Sequence, residues 1–349
     1  MAKRVYQVWK GQNIFIFNGR LVFGPDARSL IVTLLLIIVP IVIFCTNVAR
    51  NLLHELSANI AGYAILVVAV VLAIYVLVLL LLTSSRDPGF VPRNSQPPDE
   101  EIGYDSSTSI EVGGRQTPAP RLPRTREVIV NGVTIKVKYC ETCMLYRPPR
   151  CSHCTVCDNC VERFDHHCPW VGQCIGMRNY RYFFMFISSS TVLCIFVIAM
   201  SALNIKFLMD DYGSIWKAMK ESPVSMILMA YCFIFLWFVG GLTCFHLYLI
   251  SINQTTYERC RYRGVDRPYN QGCLKNFKEI FCTKIKPSRN NFRAHVNENE
   301  RRPSFGLTSD GELTQLSDLY GSRREKVEDD REIGGNLHKI SQRPEVEDV

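Results

Sequence analysis

Eight of the fifteen cysteines in the chain fall within 35 residues: Cys140, Cys143, Cys151, Cys154, Cys157, Cys160, Cys168 and Cys174. His153, His166 and His167 are interleaved with them. Clustered Cys with His between points to metal rather than to disulfides. A tight turn between two cysteines lets both sulfurs face one ion, so Cys140-x2-Cys143 and Cys154-x2-Cys157 have the spacing of structural zinc ligands. Tetrahedral zinc takes four ligands, so two ions would use eight of the eleven Cys and His and leave three over. Spacing alone leaves open which three these are, and whether one ion binds or two. A purely structural module has no need of unligated thiols beside a metal, so the surplus points to reactivity. A RING-type ligase would separate its ligand pairs regularly, and the adjacent His153 and Cys154 fit that layout badly.

The elements that must position this cluster are legible in where the apolar residues fall. The chain has 349 residues, 48% of them hydrophobic, and a formal charge of +8. Length alone would allow two soluble domains. Four charge-free blocks, 29–48, 61–85, 183–205 and 224–252, rule that out. Each has about the 20 residues that a bilayer core requires. Pro40 inside the first is expected as a tolerated kink. The predicted fold class is an α-helical polytopic membrane protein: four transmembrane helices, with a cytosolic zinc-bound cysteine-rich domain between spans two and three. No Asp, Glu, Lys or Arg lies near the centre of a span, which argues against a transporter or channel. His246, near one end of the fourth span, is the single ionisable exception.

Lys and Arg gather in the N-terminus, in the second connection and after the fourth span, whereas the first connection has only Arg50. The third has lysines offset by acids. The positive-inside rule then puts both termini and the long second loop in the cytosol. Thiols there stay reduced, which again favours metal or catalysis. The remaining boundaries follow composition. Residues 1–28 form a basic N-terminus unlike a cleavable signal, and 29–85 hold the first two spans. Residues 86–127 read as a proline-rich, irregular linker. Asn131-Gly132 between two β-rich runs signals a hairpin that opens the cysteine-rich domain, 128–182. Spans three and four fill 183–252, and 253–286 follow them. Residues 287–349, polar and poor in aromatics, read as disordered. Asn253-Gln-Thr255 matches a glycosylation acceptor but falls on the cytosolic side. No feature points to nucleic acid.

Asp165-His166-His167-Cys168-Pro169-Trp170, set in this cysteine-rich segment between spans two and three, resembles the signature of the DHHC protein S-acyltransferases, or palmitoyltransferases. Asp87-Pro88-Gly89 after the second span and Thr255-Thr256-Tyr257-Glu258 after the fourth resemble two further motifs of that family, and Asn276 resembles the Asn of its C-terminal motif. The opening Gly11-Gln-Asn-Ile-Phe-Ile-Phe-Asn-Gly-Arg and the frame without ankyrin repeats look like the plant branch. Where the family usually has Asn before the last cysteine, this chain has Gln173.

The resemblance implies two interleaved zinc sites, Cys140, Cys143, His153 and Cys160 in one and Cys154, Cys157, His167 and Cys174 in the other. Cys151, His166 and Cys168 are left over. It implies a palmitoyl group moved from palmitoyl-CoA to cysteines of membrane-associated proteins, by a ping-pong course through acyl-Cys168. His166 is the expected proton carrier and Asp165 its orienting carboxylate. Thr256 is expected near Asp165, Asn276 is expected to tie the following segment to the spans, and Asp87 to cap the chain as it leaves the bilayer. Trp170, two residues past Cys168, is placed to touch the acyl chain or to serve as an interfacial aromatic anchor. By residue type, Lys138, Arg147 and Arg150 suit contacts to CoA phosphates and equally to the head groups of anionic lipids. Cys282 could itself carry an acyl group or be an idle surface thiol. The expected location is the plasma membrane or Golgi/endomembrane vesicles. A catalytically silent scaffold is the competing function, and the intact Asp165-His166-His167-Cys168 weakens it.

Overall fold

The computed structural model describes residues 2–56, 60–98, 103–112, 115–121, 123–261 and 268–296, with side chains for all of these but 103–112 and 115–121. Among the described residues four helices are long and apolar enough to cross a membrane: Ala27–Glu55, Ala61–Ser84, Tyr180–Tyr212 and Pro223–Ser251. Two outrun their charge-free cores. The first continues through a π-helical turn, Phe44–Ala49, into Arg50–Glu55, where the sequence suggested a loop. The third runs on to Tyr212 and stops at Gly213, whose left-handed φ of 65° lets its N–H cap the Met209 carbonyl. Helices end where backbone groups find other partners, which charge patterning does not mark. Pro40 is accommodated by a neighbour. It has no N–H to offer the Leu36 carbonyl, and the Tyr231 hydroxyl of the fourth span donates there at 2.7 Å.

The spans pack around Phe44, Leu80, Phe183 and Ile250. Gly62, Ala69 and Ala73 on the buried side of the second span let its neighbours approach closely. Trp237 and Phe238 of the fourth are 80% and 70% exposed, as lipid-facing side chains are.

Between spans two and three the chain forms short antiparallel ribbons. Thr125–Val130 pairs with Val133–Cys140, and Asn131 and Gly132, at φ 49° and 80°, make the tight left-handed turn expected there. Residues 86–98 hold no strand, as expected of the linker, but Gly103–Val112 pairs with Arg115–Arg121. The prolines of this hairpin, Pro118 and Pro120, lie in the second strand alone, so 103–112 keeps all its amides. Ser152–Cys154 pairs with Asn159–Val161, and His166–Cys168 with Gln173–Ile175.

The N-terminal hairpin Ile14–Ile16/Leu21–Phe23 packs on this module. Gln12 N–H donates to the Cys157 carbonyl at 3.0 Å. Gln173, fully buried, donates to the Val22 carbonyl at 2.8 Å, so the longer amide in place of Asn holds the hairpin to the loop. The tail also differs from its expected disorder. Tyr6 donates to the Phe292 carbonyl and Val296 to that of Lys3, while Phe292 packs on Trp9 and Phe15. One aromatic in a polar stretch anchors 287–296, and composition averages hide it. The rest of the tail, 297–349, lies outside the described residues.

Candidate active site and metal centres

Strand alternation sorts the cluster. Directly opposed residues of an antiparallel pair share a face, and consecutive residues take opposite faces. His153 stands opposite Cys160 and His167 opposite Cys174. Cys154, next to His153, is therefore turned to the other side and serves a different cluster. Two groups result, Cys140, Cys143, His153 and Cys160, and Cys154, Cys157, His167 and Cys174. In each, the four ligand atoms lie within 4.8 Å of one another. Met144 and Asp158, at φ 52° and 51°, make the same turn after each Cys-x2-Cys pair.

The donor chemistry fits a thiophilic divalent ion. Crowding sets the thiols against one another: hydrogen bonds from Cys143 and Cys160 pull Cys140 far below the ordinary thiol range, and the same contacts push Cys143 far above it. A bound cation would resolve that conflict by taking all three as thiolates. Each histidine ligand has its outer nitrogen on a carboxylate, His167 Nε2 on Asp26 at 2.9 Å and His153 Nε2 near Asp158 at 3.5 Å. Such outer contacts fix the tautomer and orientation of a metal-binding imidazole.

The same alternation sets the reactive residues. In His166-His167-Cys168 the middle residue faces the second metal cluster, so His166 and Cys168 share the opposite face. His166 Nδ1 meets Asp165 Oδ2 at 2.6 Å, and the Cys168 thiol is near enough to the His166 ring to favour its cation. A carboxylate only accepts, so Nδ1 carries the proton and Nε2 is free to take one. Asp165 is 1% exposed. Burial works against its charge, but hydrogen bonds from His166 and Thr256 hold its pKa below the usual carboxylate range. Thr256 supplies both its N–H (2.9 Å) and its hydroxyl (2.8 Å), as the motif led one to expect. Burial disfavours the His166 cation, yet its bonds to Asp165 and Cys168 prevail and raise its pKa to about 9.

Cys168 opens on an apolar cavity of about 180 Å³ that runs between the first, third and fourth spans. Trp170, Phe183, Leu193 and Tyr231 contribute to its walls. Trp170 is held at the mouth by its carbonyl, which accepts from Thr33 of the first span at 2.7 Å.

A second, wider cavity of about 350 Å³ lies between the Val133–Cys140 strand and the segment after the fourth span. Lys138, Arg147 and Arg150 all line it, so the structure brings the three expected phosphate contacts together. Arg150 Nε and Nη2 donate to Glu258 at 2.7 and 2.8 Å, and Nη1 and Nη2 donate to the side chain and backbone of Asn253 at 3.0 Å. These bonds make Arg150 a clamp between the cysteine-rich module and the segment after the fourth span. Asp87 Oδ1 accepts from Gly89 and Phe90, and Asn276 bonds the Ser251 carbonyl at the end of the fourth span. Cys282 is exposed just past the helix Cys273–Phe281.

The sequence reading did not single out Asp26, Glu258 as partner of Arg150, or the sorting of ligands by strand face. A signal for the last was present. Cys140-x2-Cys143-x9-His153-x6-Cys160 and Cys154-x2-Cys157-x9-His167-x6-Cys174 are the same pattern displaced along the chain.

Four membrane-type helices, two Cys3His clusters and a buried thiol between a His–Asp pair and an apolar cavity define a multi-pass membrane protein equipped for acyl exchange at a cysteine. Residues 133–263 match the family model described as DHHC palmitoyltransferase. The chain is 62% identical over 353 residues to "Protein S-acyltransferase 8" of Arabidopsis thaliana, covering 100% of this chain and 86% of that protein. It is 57% identical over 348 residues to "Probable protein S-acyltransferase 9" of the same plant, covering 98% and 83%. The chain belongs to the DHHC palmitoyltransferase family and is a protein S-acyltransferase, with relatives in the plant branch.

Proposed function

We propose that the chain moves a long-chain acyl group, palmitoyl above all, from acyl-CoA to cysteines of membrane-associated proteins through an acyl-Cys168 intermediate. The observation that carries this reading is Cys168 itself, free of both Cys3His clusters, on the same strand face as His166 and open to the apolar cavity. His166 Nε2 takes the thiol proton, and Asp165 holds the ring and offsets the imidazolium charge. The Cys168 sulfur attacks the thioester carbonyl, the bond to the CoA sulfur breaks, and CoA leaves with the proton from His166. In the second half a substrate cysteine gives its proton to His166 and takes the acyl group, and Cys168 regains its own. One thioester replaces another, so positioning and activation of the nucleophile carry most of the rate.

The acyl chain occupies the apolar cavity and need not cross water, with Trp170 against its first carbons. Lys138 and Arg147 contact the CoA phosphates in the wider cavity. Both residues line that cavity. The two Cys3His groups would hold structural zinc, which would supply a rigid frame and local positive charge. Both termini, the cysteine-rich module 128–182 and the motif segment 253–286 lie on the cytosolic side, a reading supported by the Lys and Arg distribution and by the packing of N-terminus, module and 287–296 into one body. The membrane is the plasma membrane or an endomembrane such as the Golgi.

Purified protein incubated with labelled palmitoyl-CoA should acquire a hydroxylamine-labile adduct that Cys168→Ser abolishes. An equal adduct on Cys168→Ser, or none on the unaltered protein, sinks the proposal.

A further inference from the structure

One ionisable side chain inside the bundle lies beside the reactive pair and has no part in the reaction above. His246, in the fourth span, is 0% exposed. The Tyr180 hydroxyl of the third span bonds its Nδ1 at 3.0 Å. Its Nε2 is buried with no hydrogen-bond partner among the described residues. Leaving a buried polar atom unpaired costs about 1–3 kcal/mol, so an apolar side chain would fill this space at less cost. Packing alone therefore does not account for a histidine here.

Its neighbours do. The His246 ring centroid lies 6.1 Å from that of His166 and 5.1 Å from that of Phe183. Phe183 meets His166 edge-on at 5.3 Å. The imidazole of His166 is thus bounded by two rings, and one of them is pinned by a hydrogen bond. His246 does not line the apolar cavity, so it is not set to touch the acyl chain. The bond from Nδ1 to Asp165 fixes one edge of the His166 ring, and a swing of the ring about that contact would change its approach to Cys168. A wall beside the ring removes that freedom.

We propose that His246 is a positioning residue for acyl transfer: held by the Tyr180 hydroxyl, its ring forms with Phe183 the wall that keeps the His166 imidazole directed at both Asp165 and Cys168. This rests on the reading of Cys168 as the acyl carrier.

The test is single-turnover acylation of the full-length protein by palmitoyl-CoA, comparing His246→Ala, Tyr180→Phe and the double variant. His246→Ala should lower the maximal rate about 10- to 100-fold, and Tyr180→Phe should lower it less. The half-saturating palmitoyl-CoA concentration and the zinc content should stay unchanged in both. The double variant should be no slower than His246→Ala alone, because once the ring is gone the hydroxyl has nothing to hold. A wild-type rate in His246→Ala overturns the proposal, as do multiplying losses in the double variant, or a rate loss in both single variants that follows loss of zinc. Cys168→Ser in parallel separates the two readings. An adduct on Cys168→Ser defeats the acyl-carrier reading, whereas a silent Cys168→Ser beside a fully active His246→Ala defeats only the role given to His246.

Discussion

Replacing Arg150 should disable the protein through its fold, not through its affinity for acyl-CoA. The Arg150 and Glu258 side chains are 8% and 16% exposed and meet through two bonds of 2.7 and 2.8 Å. Removing one member of a buried ion pair strands the other charge and costs about 3–5 kcal/mol. With both this deeply covered, solvent screening reduces that figure little. The consequence extends to the reactive site, because Glu258 also accepts from the Thr255 N–H at 2.9 Å and so steadies the turn from which Thr256 reaches Asp165. Arg150→Leu should therefore lower the unfolding midpoint by several degrees, measured in detergent with a thiol-reactive dye. It should also slow Cys168 acylation while leaving the half-saturating acyl-CoA concentration near its original value. Arg150→Leu with Glu258→Leu should be at least as stable as Arg150→Leu alone, since both charges leave together. Arg147→Ala should do the reverse, weakening acyl-CoA binding with little loss of stability. If Arg150→Leu kept the midpoint and raised the half-saturating concentration as Arg147→Ala does, the clamp would be refuted and Arg150 would be a phosphate contact.

Two further outcomes follow from the junction between the first span and the cysteine-rich loop. Asp26→Asn keeps the size of the side chain but removes the charge that meets His167 Nε2 at 2.9 Å. It should weaken metal binding at the cluster of Cys154, Cys157, His167 and Cys174 about 10- to 100-fold, read as a fast phase of zinc release to a chromogenic chelator; release indistinguishable from the unaltered protein would count against that outer contact. Gly172→Ala forces a residue at φ 69° to carry a Cβ only 2.7 Å from the Asp26 carbonyl oxygen. It should cost about 2–4 kcal/mol and lower the midpoint clearly. Gly132→Ala, at φ 80° with nothing within 4 Å, should cost only the backbone strain, so equal shifts in the two variants would reject the steric account.

Much of this architecture is written locally and could be read so. Charge-free runs mark helices because a bilayer tolerates little else, and Asn131-Gly132 marks a turn because few other pairs accept two positive φ angles. What escaped reading depends on partners distant in sequence. Asp26 stands 141 residues from His167, and nothing around it announces a metal's outer shell. Arg150 looked available because cations near a cysteine cluster suit phosphate, while its true partners lie 103 and 108 residues on. The Phe292 anchor depends on Trp9 and Phe15 at the other end of the chain.

The order of the signature residues has a geometric cause that joins frame to chemistry. A strand cannot direct neighbouring side chains to one face, so a base and a nucleophile that must meet are separated by one residue that faces away. In His166-His167-Cys168 that residue is His167, fastened by the second Cys3His cluster on its inner nitrogen and by Asp26 on its outer one. Holding the middle residue fixes the twist of the strand and therefore the direction of both outer ones. The opposite strand adds Cys174 to the same cluster, directly across from His167. In the proposed mechanism, a metal held by this cluster would thus act on the reaction without touching a reacting atom. Weakening His167's outer contact should then disorder His166 and Cys168 together, while leaving the apolar cavity between the spans intact.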